Sequence, residues 1–393
     1  MEKKADRMKQ RVAHRRQRAI VSVINDLVTD QRVNKSCLVL QQAGYEVLLV
    51  GRRQRKSPGM DARPYGTHRM KLLFEKGPCF YATFNIRLFF FLLFHRVDFL
   101  FSNDLDTLLP NFLISKIKRV PMLYDSHEYF TETPELVHRQ FVQGVWKRIE
   151  GMVLPHLKEM ITVNESIAQL FREKYHIQVH VVRNIPLRSL LPSRKTRSDL
   201  GLPTDKHLLL LQGSGINVQR GAEELVEAMR YLDYCHLIII GGGDVLPQLK
   251  KMVQEMSLSN VQFLPRMPYA EMMVYTQCAE LGFSIDKDTN LNYRFSLPNK
   301  LFDYIQAGVP VVASHLPEIE KVIRQYDIGT FVGSHSPEHI AEVVRTALED
   351  KERYQCWKSH LPQAAEALCW ENEAPKLLAI CRQYGCKEPQ KHS

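Results

Sequence analysis

Apolar residues in the first half of the chain fall into short runs separated by helix-length segments. Ala19–Ile24 is a strand-like run, apolar but for Ser22, that stops at Asn25-Asp26. Residues 31–43 follow with helical spacing, and Gly44 stands where a helix end favours a left-handed residue. Tyr45–Val50, Asp98–Ser102, Met122–Tyr124, Met160–Val163 and His180–Val182 repeat the short run. Strand-length runs alternating with helices predict a parallel sheet covered on both faces. Polar clusters follow several runs, at Asn103-Asp104, at Asp125-Ser126-His127-Glu128 and at Asn184. In open parallel sheets the ligand sites lie beyond the carboxyl ends of the strands, where these clusters fall.

Leu187–Pro203, with its prolines, serine and basic residues, reads as a linker. A second series follows it, with strands at Leu208–Leu211, His236–Ile240, Val261–Leu264, Glu280–Ile285 and Val309–Ala313, and helices at Ala222–Met229, 299–307 and 337–349. Two doubly wound domains are therefore expected. Their bounds are 19–190 and 191–365, after a basic tail over 1–18 and before a closing helix and tail over 366–393.

A length of 393 residues with 45% apolar and 24% charged residues suits two domains of ordinary size. The net charge is +10, and residues 1–18 hold eight Lys or Arg against Glu2 and Asp6. Such a tail reads either as a contact for an anionic membrane or nucleic acid, or as a disordered leader. Eight cysteines form no C-x-x-C pair, which points to a reducing compartment without a disulfide framework. No apolar segment follows the basic start as a secretory signal would require, and the most apolar stretch, Leu88–Phe94, reads as too short to span a bilayer.

The densest chemistry lies in Arg294-Phe-Ser-Leu-Pro-Asn-Lys-Leu-Phe-Asp303, which runs on into Ala307-Gly308-Val-Pro310. Ser296 reads as a helix cap, and Pro298 falls near the first helical turn. Lys300 and Asp303 are three apart and share a helix face. Together with the helix N-terminus they suit a diphosphate and ribose hydroxyls. Leu211-Gln-Gly-Ser-Gly-Ile-Asn-Val-Gln-Arg-Gly221 joins a strand to a helix, so its glycines let backbone amides approach a phosphate. Ile238-Ile-Ile-Gly-Gly-Gly-Asp244 is a strand and glycine turn, but Leu246 fills the last position of a dinucleotide fingerprint. Asp286-Lys287-Asp288 has the spacing of a metal-binding pair and reads as solvated loop.

These segments resemble the donor site of family 4 of the retaining glycosyltransferases, over about Val21 to Tyr384. Asp303 stands at the family's second donor-site Glu, while Phe295 stands at the first. Arg220-Gly221 matches the family's Lys-Gly, and Gly215 replaces its Arg. The Pro-Asn-Lys form with Asp303 is similar to a subgroup of bacterial surface-polysaccharide enzymes. The resemblance implies an α/β, GT-B fold: two Rossmann-like domains facing across a cleft, with a C-terminal helix crossing back after Trp370-Glu-Asn-Glu373. It implies a donor set of Gly213, Ser214, Gly215, Arg220, Gly242, Arg266, Pro298, Asn299, Lys300, Leu301 and Asp303.

In the N-terminal half, Tyr124-Asp-Ser-His-Glu-Tyr-Phe-Thr-Glu-Thr-Pro-Glu135 matches the Asp-x-His-Glu loop of the same subgroup. His127 and Glu128 would then act with Arg220 and Lys300 in catalysis; a structural histidine is the other reading of His127. Asn25, Asp26, Asp30, Asn103 and Asp104 form the expected acceptor side. The resemblance implies transfer of a sugar from a UDP- or GDP-sugar to a glycan or lipid-linked acceptor, with retention and without a metal or other cofactor. A nucleotide-cofactor oxidoreductase and a nucleic-acid binder are the competing classes. The first has an incomplete glycine fingerprint, and the second has only the tail, so no nucleic acid is expected. Arg52, Arg53, Arg55 and Lys56, with the five phenylalanines of Phe84–Phe94, suit either a core or an anionic membrane surface. The expected location is cytoplasmic, at or near the inner face of the membrane.

Overall fold

A computed structural model describes residues 16–28, 30–55, 57, 59–188 and 195–385. Most of the basic tail, Lys56, residues 189–194 of the linker and Cys386 therefore lie outside the described residues. The chain divides into two compact units. The first draws on Met1–Thr131, Glu135–Val182 and Ala374–Ser393; the second on Glu132–Pro134 and Arg183–Glu373.

The first unit holds β1 (Arg18–Asp26), α1 (Gln31–Gln42), β2 (Glu46–Arg53), β3 (Gly66–Lys71), α2 (Gly77–Phe94), β4 (Phe99–Asn103), α3 (Leu105–Lys118), β5 (Met122–Ser126), α4 (Pro134–Val137), α5 (Gln140–Val153), β6 (Glu159–Thr162), α6 (Glu165–Tyr175) and β7 (Gln178–Val181). The strands pair in the order β3-β2-β1-β4-β5-β6-β7, all parallel. β1, β4 and β5 are almost wholly buried, as continuous apolar runs under two helical layers should be. Their register sets Asn103 opposite Asp125, which brings two of the polar clusters together.

The second unit holds β8 (His207–Gly213), α7 (Ala222–Ala228), β9 (Cys235–Gly241), α8 (Leu246–Glu255), β10 (Val261–Leu264), α9 (Tyr269–Thr276), β11 (Leu281–Ser284), α10 (Leu291–Arg294), α11 (Asn299–Ala307), β12 (Val311–Ser314), α12 (Pro317–Tyr326), β13 (Gly329–Val332), α13 (Pro337–Glu349), α14 (Lys351–Ala367) and the start of α15 (Trp370–Arg382). Its parallel sheet runs β10-β9-β8-β11-β12-β13. The sheet carries two apolar cores. One includes Leu208, Leu210, Ile238 and Phe302; the other includes Leu209, Leu211, Ile239 and Phe283. Alternate residues of one strand thus feed opposite faces, as the pleat requires. Leu202, in the expected linker, is buried in the first of these cores.

Several expectations need correction. β3 and β13 are strands that no apolar run announced. Leu88–Phe94 is the end of an 18-residue helix, which by length and composition could cross a membrane. Asn85 and Arg87 interrupt the apolar pattern and hid its first half; Asn85 Nδ2 is satisfied by the carbonyls of Tyr81 and Asp106, both at 2.9 Å. Ser296 is not the cap of α11. The helix starts after Pro298 without a side-chain cap, and Ser296 Oγ is buried with no hydrogen-bond partner. Gly308 does close α11, at φ 71°.

Candidate functional site

In the second unit the carboxyl ends of β8, β9 and β11 meet a tightly packed glycine framework. A Cβ on Gly241 would lie 1.8 Å from the carbonyl oxygen of Gly213, and one on Gly243 would lie 2.0 Å from that of Ile216. Both glycines therefore exist so that the turn after β9 can lie directly on the loop after β8. Gly242 leaves room for Arg266, whose guanidinium donates to the Ser214 carbonyl. Gly213, Ser214, Gly215, Gly242 and Arg266 thus come together. This contact explains the glycine turn without a dinucleotide.

The same strand ends hold a buried ionic group. Asp286, two residues beyond β11, is fully buried. Its Oδ1 lies 3.3 Å from Arg220 Nη1 and 3.6 Å from Lys300 Nζ. Reading Asp286 as solvated was wrong: the strand it follows runs in the core and carries it inside. Its companions in that triplet are partly exposed, Lys287 pairing with Glu224 and Asp288 with Arg294. Arg220 also lies over the Tyr293 ring, 4.6 Å from its centroid. Gly221 is required at φ +73°, with Ile285 O 2.4 Å from its would-be Cβ. Two cations therefore share one carboxylate, and Asp286 Oδ2 has no hydrogen-bond partner. Burial lowers the pKa of Lys300 and Arg220 adds to that; Asp286 opposes both.

Asp303, on α11, is 7% exposed. Its two oxygens accept from Tyr269 Oη at 2.9 Å and Gln212 Nε2 at 3.2 Å. Gln212 in turn accepts from Thr276 Oγ1 at 2.7 Å, so the carboxylate is fixed by a chain of buried polar groups. Leu301 is wholly buried and its side chain belongs to the core, while Asn299 is exposed and Pro298 half-buried at the start of α11. Gln212, Tyr269 and Asp286 were not among the expected site residues.

In the first unit the expected His127 sits in a closed charge network. Its Nδ1 is 3.0 Å from Asp104 Oδ2, and its backbone N–H donates to Asp104 Oδ1 at 2.9 Å. Its Nε2 is 3.2 Å from Asn103 Oδ1 and 3.5 Å from Asp125 Oδ2. Asp125 is gripped by Arg32 through Nε at 3.0 Å and Nη2 at 2.6 Å. Burial disfavours the imidazolium, but Asp104 and Asp125 outweigh it and raise the His127 pKa to about 10. Burial also opposes the charge of Asp125, yet Arg32 and His127 hold its pKa well below the usual range. His127 is thus a bound cation at neutral pH and not a base. Asp106 is buried with Oδ1 unpartnered; burial, then Asp104, pushes its pKa well up. Glu128 is half-buried, and its carbonyl accepts from Ser126 Oγ.

The remaining acceptor-side residues form a second group. Asp30 caps α1 through Val33 N and accepts from Asn25 Nδ2, both at 3.0 Å. Asp26 pairs with Arg69 at 3.0 Å and bonds Ser57. Arg32 and Asp125 were not expected to act, although Asp125 lies within the polar loop Tyr124–Glu135 that the sequence marks.

Among the described residues one trio, Asp327, Cys356 and His360, brings metal-ligating atoms within 4.8 Å of one another. Asp327 precedes β13, at the opposite end of the strands from the groups above, and Arg353 holds its carboxylate. No disulfide joins the cysteines among the described residues.

Two Rossmann-like parallel-sheet units in succession define a GT-B architecture. A model of the group 1 glycosyl transferases matches residues 192–362, and a model of glycosyltransferase family 4 matches residues 36–185. The chain therefore carries a family 4 glycosyltransferase domain followed by a group 1 glycosyl transferase domain. It is 26% identical over 224 residues, covering 52% of this chain and 51% of the relative, to D-inositol 3-phosphate glycosyltransferase 1 of Catenulispora acidiphila. The chain spans about half the length, or less, of the curated relatives it matches. Sucrose-phosphate synthase from Thermosynechococcus elongatus shares the fold, with TM-score 0.77, 18% identity, and coverage of 94% of this chain and 99% of that one. Anabaena Alr3699/HepE, solved in complex with UDP and glucose, gives TM-score 0.69 at 14% identity, over 93% and 99% of the two chains.

Proposed function

We propose that the protein is a glycosyltransferase that moves a sugar from a UDP- or GDP-sugar to a glycan or lipid-linked acceptor, with retention of configuration and without a bound metal. The observation that carries the reading is the Arg220–Asp286–Lys300 group. Two cations converge on one buried carboxylate beside a glycine loop and the start of α11, which suits a diphosphate. Asp303 anchors the donor ribose, and the structure of Alr3699/HepE with UDP and glucose supports a nucleotide donor. The first unit takes the acceptor, with Asn103, Asp104 and the cationic His127 orienting hydroxyls. No carboxylate is assigned as base or nucleophile; Glu128 is the nearest candidate. The departing phosphate oxygen, stabilised by Arg220 and Lys300, accepts the acceptor's proton, so attack occurs on the face it leaves. The enzyme works in the cytoplasm, against an anionic membrane surface.

The test is NMR of the first-formed product from a nucleotide-sugar screen, run with and without EDTA. Retained configuration with equal rates is expected. Inversion, or activity lost to EDTA and restored by Mg²⁺, would overturn the mechanism, and the absence of transfer from every UDP- or GDP-sugar would overturn the function.

A further inference from the structure

We infer that the first unit docks on an anionic bilayer through the solvent side of three adjacent helices, α2, α3 and α5; this deepens, and rests on, the membrane part of the reading above. α2 packs along α3, and α3 packs against α5. Helices side by side in one layer turn their outer faces the same way. On each, large apolar residues recur on that face at helical spacing: Ile86, Phe90 and Phe94 on α2, Leu113 and Ile117 on α3, and Phe141, Val145 and Met152 on α5. Phe94 and Phe141 are 79% and 84% exposed. Eight exposed apolar side chains on one layer form a patch of the kind that marks an interaction surface.

The charge pattern selects the partner. Arg87, Lys116, Lys147 and Arg148 are exposed on these helices, whereas their two carboxylates, Asp106 and Glu150, are buried. The outward face therefore carries apolar and cationic groups and no acid. Aromatic and aliphatic side chains seat at the acyl boundary while the cations meet anionic headgroups. α2 lies on this surface and does not span: Phe80, Phe84, Leu88 and Leu92, four residues apart, are buried within the unit.

Co-sedimentation of the full chain with vesicles tests this. Vesicles of phosphatidylcholine with about one-third phosphatidylglycerol should bind at least about tenfold more protein than phosphatidylcholine alone, and high salt should release it. The pair Phe94→Ser and Phe141→Ser, and separately Lys147→Glu with Arg148→Glu, should each lower binding about tenfold. A UDP-induced thermal shift equal to wild type shows that the variants are folded. Equal binding to both vesicles, no binding to either, or a dimer that these variants dissociate would overturn the proposal. Vesicle binding without any UDP or GDP shift would sink the transferase reading and leave the membrane face standing.

Discussion

The charged groups at the strand ends of the two units differ in one respect. In the first unit Arg32 and His127 meet Asp104 and Asp125, so two cations balance two carboxylates at close range. In the second unit Arg220 and Lys300 both meet one carboxylate, Asp286, and one oxygen of that carboxylate has no hydrogen bond. Cations that converge on a single buried carboxylate suit an added anion such as a phosphate. The proposed function gives the diphosphate to the second unit, and to the first the orientation of neutral hydroxyls.

The comparison breaks most sharply at Asp286. Asp286→Ala removes the carboxylate that two neighbouring cations share and should destabilise the protein by about 3–5 kcal/mol in urea unfolding, with Asp286→Asn costing less. A change within error would mean that the pair is solvated after all. Next comes Asp303→Ala, which should remove about 2–4 kcal/mol of donor binding or transition-state stabilisation, read from donor kinetics; unchanged kinetics would remove its ribose role. An effect of the same order concerns His127. Its folded pKa of about 10 lies above the ordinary value of 6.5. The resulting stabilisation is complete below about pH 6.5 and is lost as pH rises through 10. The gap in unfolding free energy between wild type and His127→Gln should therefore shrink by roughly 2–4 kcal/mol between pH 6 and 10.5. A constant gap would show that the histidine is neutral in the fold.

The legible parts of the sequence were those set by local pattern. β10, α11 and α13 occupy the predicted spans, because each has an apolar run or a helical repeat with a defined end. β3 escaped because it is an edge strand whose residues alternate between exposed and half-buried until Met70. β13, also at an edge, has only four residues. The cations Arg220 and Lys300 stood out within motifs. Asp286 stood out only for its spacing to Asp288 and was read as solvated, since its partner Arg220 is 66 residues away and the β8–β11 pairing brings them together. Gln212 and Tyr269 were hidden for the same reason: 91 and 34 residues separate them from Asp303. Asp125 and Arg32, 93 residues apart, join only because β5 ends beside the start of α1.

Calorimetric titration of UDP and GDP, against uridine and guanosine, tests the central claim that Arg220 and Lys300 of the second unit hold a nucleoside diphosphate. One diphosphate should bind wild type well above its nucleoside, and Lys300→Ala or Arg220→Ala should weaken it by roughly 10- to 100-fold while leaving the nucleoside unchanged. Diphosphate binding that is unaffected by either substitution, or no stronger than that of the nucleoside, would contradict the account.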